Sequence, residues 1–123
     1  MINNLLYVFL GGGIGSLCRF GISMLMLNFY RGSFPIATLV SNILSCLVLG
    51  ITVYLSGEKL NTDFPLRFLI ITGFCGGFST FSAFSYETVD MLKGGYALYA
   101  LANVLVSALA CFGIMYIFIR SNA

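Results

Sequence analysis

Between Thr72 and Glu87 the chain reads TGFCGGFSTFSAFSYE. Glycines stand at 73, 76 and 77, and hydroxyls follow at 79, 80, 82 and 85. These residues interrupt an otherwise apolar helical segment. Backbone N–H and C=O groups cannot go unpaired in lipid, so a break here must be buried in protein or line a wet cavity. Broken membrane helices present free carbonyls that bind cations. The alternative is a continuous helix in which Gly73 and Gly77 serve close helix packing. The four hydroxyls directly after the glycines favour a break.

Phe81 and Phe84 are three residues apart and so share a helical face. The edge of an aromatic ring carries partial positive charge. Two such edges aimed into a pore attract an anion without any formal cation; packing against lipid or core is the other reading. Tyr99, Asn103, Ser107 and Cys111 recur every four residues. That places hydroxyl, amide, hydroxyl and thiol on one stripe. The stripe can hand a small ion from donor to donor, or it can hydrogen-bond to neighbouring helices at about 0.6 kcal/mol per contact. Asn42, flanked by Ser41 and Ser45, has an amide that can donate to an anion or to another helix.

Arg19 is the basic residue deepest within an apolar segment, where insertion costs about 3 kcal/mol. Three readings are open: an anion entrance, a pair with a carboxylate such as Glu87, or snorkelling to the interface. Asp90, nearer a loop, is read as solvated. Gly11 and Gly15 form a GxxxG spacing, a close-packing signal. A phosphate-cradling loop is rejected because its lysine is missing. Histidine is absent and no nucleophile–base pair is found, so the chain is read as no enzyme. Cys18, Cys46, Cys75 and Cys111 lie in apolar runs without CxxC spacing. They read as small buried hydrophobes rather than zinc or haem ligands.

The elements that position these residues follow from composition. Of 123 residues, 59% are hydrophobic and 8% charged, against about a quarter charged in a soluble domain. That is too little charge to cover a water-facing surface, so the solvent is lipid. Four segments reach the roughly 20 apolar residues of a spanning helix. The first runs from about Leu5 to Asn28, with Gly32 as its stop. The second runs from Pro35 to Ser56, capped by Ser33 and ended by Gly57. The third runs from Pro65 to about Leu92 and ends at Gly94-Gly95. The fourth runs from Tyr96 to about Ile119. Short connections predict antiparallel packing of neighbours in one domain, residues 1–123. The N-terminus shows neither the basic region nor the cleavage site of a signal peptide, so the first helix is expected to direct insertion. The net charge of +2 is spread thinly and offers nucleic acid no basic patch.

With the N-terminus inside, Lys59, Arg67 and Arg120 fall on the inner side and Arg31 and Lys93 on the outer. Three against two is almost no bias under the positive-inside rule. Such a chain can insert in both orientations and form an antiparallel dimer, or in one orientation set by other features.

GGGIGSLCRF at 11–20, TLVSN at 38–42 and GFCGGFSTFSAF at 73–84 together resemble the Fluc (CrcB-type) family of bacterial fluoride channels. The similarity covers nearly the whole chain. It implies an all-α, four-helix protein of the bacterial inner membrane, with the third helix broken mid-membrane, and a dual-topology homodimer with two antiparallel pores for fluoride. It implies that Phe81 and Phe84 line the pore with Asn42, Ser82, Tyr99, Asn103 and Ser107, and that Arg19 and Glu87 belong to the vestibule. It also implies a structural Na+ at the dimer centre, held by the carbonyls of Gly76 and Ser79 and their copies. The family often has threonine where Ser79 stands, and Asn103 and Cys111 replace expected hydroxyls. The implied physiology is export. Hydrofluoric acid enters cells neutral and dissociates, and the trapped anion leaves through the channel. Two rivals have other signatures. A small multidrug exporter needs a carboxylate in helix 1, which here holds Arg19 instead; a non-conducting scaffold subunit needs only the packing features.

Overall fold

The computed structural model describes residues 1–56 and 65–121. Among the described residues, four helical spans are long and apolar enough to cross a membrane. Helix α1 covers Ile2–Phe29 and α2 covers Ile36–Ser56. The third span, Arg67–Lys93, has two helical parts. Its first part, α3 (residues 67–78), is a π-helix over Arg67–Cys75 followed by one α-turn, Gly76–Phe78. Its second part, α4, covers Phe81–Lys93. The last span is α5, Ala97–Ser121. Even the 21 residues of α2 rise about 32 Å, enough for a hydrocarbon core of about 30 Å.

The ends of these helices have identifiable causes. Helix α1 stops at Tyr30, whose backbone is extended (φ −147°, ψ 125°) while its N–H still bonds the Met26 carbonyl. Gly32 is therefore not the stop. A Cβ there would meet the Tyr30 ring, whose hydroxyl accepts from the Phe34 N–H at 3.3 Å. In α2 the Pro35 carbonyl accepts the first-turn N–H of Leu39. Gly57, expected to end α2, and Lys59 of the charge count lie outside the described residues.

Helix α4 ends at Gly94-Gly95, as its glycines predict. The Tyr96 N–H reaches the Met91 carbonyl at 2.8 Å and the Gly95 N–H reaches that of Leu92 at 3.3 Å. This is the paired bonding of a Schellman motif. Gly95 sits at φ +86°, a conformation that strains any side-chain-bearing residue.

Packing pairs α1 with α3 and α2 with α5 most extensively, ahead of the contacts between chain neighbours. Small residues make the first pairing possible. A Cβ on Gly15 would lie 2.8 Å from the Phe78 nitrogen, and one on Gly11 would lie 2.8 Å from the Phe74 nitrogen. A Cβ on Gly77 would collide with the Gly12 carbonyl. Across the second pairing, the Phe118 ring fills the space that a side chain at Gly50 would take.

Polarity is distributed opposite to that of a water-soluble domain. Ser41, Ser45, Thr52, Asn103 and Ser107 are buried, while Leu17, Phe20, Leu98, Leu109 and Phe112 are exposed. Where the surrounding solvent is hydrocarbon, apolar groups gain little by hiding and polar groups must find partners within the bundle.

Candidate ion-conducting cleft

Two residues interrupt the third span. Ser79 (φ −84°, ψ 158°) and Thr80 (φ −152°, ψ 119°) are extended, and Thr80 is the middle residue of Arg67–Lys93. Extension leaves backbone groups without helical partners, and side chains meet that need. Asn42 on α2 faces Thr80 with both ends of its carboxamide. Its Oδ1 accepts from the Thr80 N–H at 2.8 Å, and its Nδ2 donates to the Thr80 carbonyl at 3.4 Å. The Thr80 hydroxyl in turn caps α4 by accepting from the Ala83 N–H at 3.1 Å. The Cys75 carbonyl, near the end of α3, accepts from the Ser79 N–H, the Ser79 hydroxyl and the Ser45 hydroxyl at 3.0, 2.7 and 3.1 Å.

These bonds assign the glycines and the hydroxyls different tasks. Gly73 and Gly77 pack against α1, as the close-packing reading has it. The departure from helical backbone comes two residues after the last glycine, at Ser79 and Thr80.

Beside the interruption lies a cleft of about 470 Å³. It gathers Asn42 from α2, Ser79 and Thr80 from the extended link, Phe81 and Phe84 from α4, and Ser107 and Cys111 from α5. The two phenylalanine rings are 5.7 Å apart, tilted at 40°. Phe81 is 79% exposed, so it is not a core residue of this chain, whereas Phe84 is half-buried.

Other candidate residues stand apart from the cleft. Asn103 is fully buried and its Nδ2 donates to the Thr88 hydroxyl at 2.9 Å. The Ser107 hydroxyl donates to the Asn103 Oδ1 at 3.3 Å, and that of Thr88 donates to the Phe84 carbonyl at 2.7 Å. These bonds fasten α5 to α4, so the hydrogen-bonding reading of the stripe describes Asn103. Tyr99, the top of the stripe, stacks on Tyr96 at 5.7 Å and meets the Phe34 ring edge-on at 6.3 Å. The Ser82 hydroxyl is exposed and bonds that of Thr80 at 3.2 Å. Gly76 is exposed, with open space where a Cβ would be.

Arg19 and Glu87 do not pair with each other. The Arg19 Nε donates to the Gly77 carbonyl at 3.1 Å, while Glu87 accepts a short hydrogen bond from the Thr38 hydroxyl. The reason is placement: Arg19 lies on α1 against α3, and Glu87 faces α2. Thr38 and Thr88 were not singled out by sequence. A hydroxyl within the TLVSN stretch and one a turn beyond Phe84 were the available signals.

The donors open to the cleft are weak and uncharged. Asn42 keeps its second N–H after serving Thr80. Ser79 and Ser107 direct their protons to Cys75 and Asn103, so Ser107 must turn its hydroxyl to serve an ion. Ring edges of Phe81 and Phe84 complete the set. An anion here meets dispersed partial charges rather than one strong site, which lets binding stay weak enough for release.

Residues 6–119 match the family model described as CrcB-like protein, Camphor Resistance (CrcB). A protein of Serratia proteamaculans called fluoride-specific ion channel FluC is 42% identical over 107 residues, covering 87% of this chain and 84% of its own. Proteins of the same name from Coxiella burnetii and a Geobacter species are 41% and 40% identical, covering 88% and 89% of this chain and the same shares of their own. With nearly its whole length matched and its four apolar spans, this chain belongs to the CrcB family, whose members are ion channels and not enzymes, and is a multi-pass protein of the bacterial plasma membrane.

Proposed function

We propose that this chain is a subunit of a fluoride-selective channel that exports cytoplasmic fluoride down its electrochemical gradient and so lowers fluoride toxicity. One observation carries the reading: Asn42, Phe81, Phe84 and Ser107 meet in a single cleft beside the extended Ser79-Thr80 link. The names of the relatives supply the ion. Burying a bare anion costs tens of kcal/mol in the Born limit. The second N–H of Asn42, the turned hydroxyl of Ser107 and the ring edges replace part of its hydration in turn.

The functional unit in this proposal is an antiparallel, dual-topology homodimer with two pores. The exposed Phe81 ring and the open flank of Gly76 are the surfaces such a partner covers. Gly76 and Ser79 would hold a structural Na+ at its centre. The donor set fits. Thr80, whose N–H a continuous helix would direct to the Gly76 carbonyl, gives it to Asn42 instead, and hard cations take oxygen ligands. The bound cation would supply fixed positive charge between the two pores. Arg19, tied to the Gly77 carbonyl one residue away, adds to that field, and Glu87 borders the vestibule.

Liposomes loaded with fluoride and carrying the protein are expected to release it, while chloride-loaded ones retain theirs. Equal release of both, or of neither, sinks the reading. A multidrug exporter would instead show proton-dependent cation uptake, and α1 brings Arg19 rather than a carboxylate to the bundle.

A further inference from the structure

Ser107 on α5 lines the cleft, yet its proton points away from it, to the Asn103 Oδ1 at 3.3 Å. The Asn103 Nδ2 donates to the Thr88 hydroxyl at 2.9 Å, and that hydroxyl donates to the Phe84 carbonyl at 2.7 Å. The bonds of this relay all run one way, from the cleft wall back into α4. The relay therefore turns the oxygen lone pairs of Ser107 to the cleft, the wrong pole for an anion. Asn103 is 1% exposed, so its carboxamide takes its partners from the relay rather than from water.

The whole relay can reverse direction. A carboxamide turned by 180° exchanges its oxygen and its NH2 group within nearly the same volume. The turned Asn103 donates to the Ser107 oxygen and releases the Ser107 proton to the cleft. Its Oδ1 then faces Thr88. A hydroxyl both donates and accepts, so Thr88 moves its proton from the Phe84 carbonyl to Asn103. That carbonyl keeps its helical bond from the Thr88 N–H, because α4 runs unbroken from Phe81 to Lys93.

We propose that Thr88 is a positioning residue for fluoride conduction: through Asn103 it holds the Ser107 proton back from the cleft until an anion arrives, and then lets it turn. The inference rests on the proposed conduction through the cleft. The relay has three hydrogen bonds as it stands. Reversed, it has three again, the last from Ser107 to the anion. Exchange of partners at nearly equal cost keeps the anion weakly held, and conduction needs an ion that can leave.

Without a hydroxyl at 88 that balance is lost. Of the three bonds, only Ser107 to Asn103 then survives in the forward direction, whereas the reversed relay keeps two. Turning toward the anion now gains one hydrogen bond, worth about fivefold in an equilibrium. The anion is held more tightly and released more slowly.

The test is conductance in planar bilayers as fluoride is raised, counted per folded chain. Thr88→Val is expected to lower the half-saturating fluoride concentration about fivefold and to lower the maximal flux with it. Thr88→Ala should shift both the same way, and Thr88→Ser, which keeps the hydroxyl, should restore the parent values. In an Asn103→Leu background the relay is already cut, so Thr88→Val should leave half-saturation unmoved. The relay is overturned if the Val and Ala variants change only the maximal flux or the yield of folded chain. It is also overturned if Thr88→Ser behaves like them, or if the shift persists without Asn103. A parent that conducts no fluoride overturns the channel reading, and this inference with it; a conducting parent with an unshifted Thr88→Val overturns the relay alone.

Discussion

The carboxamide of Asn42 pairs with both backbone groups of Thr80, accepting at 2.8 Å and donating at 3.4 Å. One side chain thus stands in for the two helical bonds that Thr80 would make in a continuous span. The pair joins α2 to the third span where Ser79 and Thr80 are extended.

Removing that splint is expected to be costly. Asn42→Ala leaves the Thr80 N–H and C=O without partners, a loss of about 1–3 kcal/mol for each orphaned group. Asn42→Asp keeps an acceptor for the N–H but sets a carboxylate oxygen against the Thr80 carbonyl, at a cost of about 3 kcal/mol for a charge in apolar surroundings. Thermal unfolding in detergent should therefore rank the parent above both variants; an Ala variant as stable as the parent contradicts the pairing.

Glycines in α1 divide by what they face. Gly15→Ala drives a Cβ to 2.8 Å from the Phe78 nitrogen, and backbone cannot swing away as a side chain does. The expected cost is at least about 1–3 kcal/mol, the range for overpacking. Gly21, with nothing within 4 Å, should tolerate alanine with a gain of up to about 1 kcal/mol from helix propensity. Melting temperatures of the two variants check the contrast.

Buried Asn103 connects Ser107 to Thr88. Asn103→Leu strips partners from both hydroxyls and is expected to lower stability by about 1–3 kcal/mol. It also frees the Ser107 proton for the cleft. If fluoride flux per folded channel falls no further than folding does, Asn103 is a packing residue. If flux falls well beyond that, Asn103 contributes a donor of its own.

Phe81 offers the most direct test of the path. Its ring is exposed and touches Phe84, so Phe81→Ile removes a polarised ring edge at little cost to this chain's own core. Fluoride efflux is expected to drop at least about tenfold, an added barrier of about 1.4 kcal/mol, measured per folded chain. Unaltered flux takes Phe81 out of the conduction path.

Much of this was legible in the sequence for plain physical reasons. Hydrocarbon solvent demands long apolar helices, so composition alone announced four spans, and Gly94-Gly95 marked the end of α4 because only glycine sits easily at φ +86°. The apolar runs and their polar exceptions also singled out Asn42, Phe81, Phe84 and Ser107, which share the cleft. Tertiary structure decided what those exceptions bond to. Arg19 looked able to meet Glu87, yet helix packing sends one to Gly77 and the other to Thr38. Asn103 shares a stripe with Ser107 and Cys111 but is turned to Thr88 because α4 lies against that part of α5. The glycines pointed to an interruption, and the packing of α1 claimed Gly73 and Gly77 while leaving Ser79 and Thr80 to carry it. Spacing along one helix fixes which residues share a face. Which helix that face meets is set by close approach between segments far apart in the chain, and no local pattern encodes it.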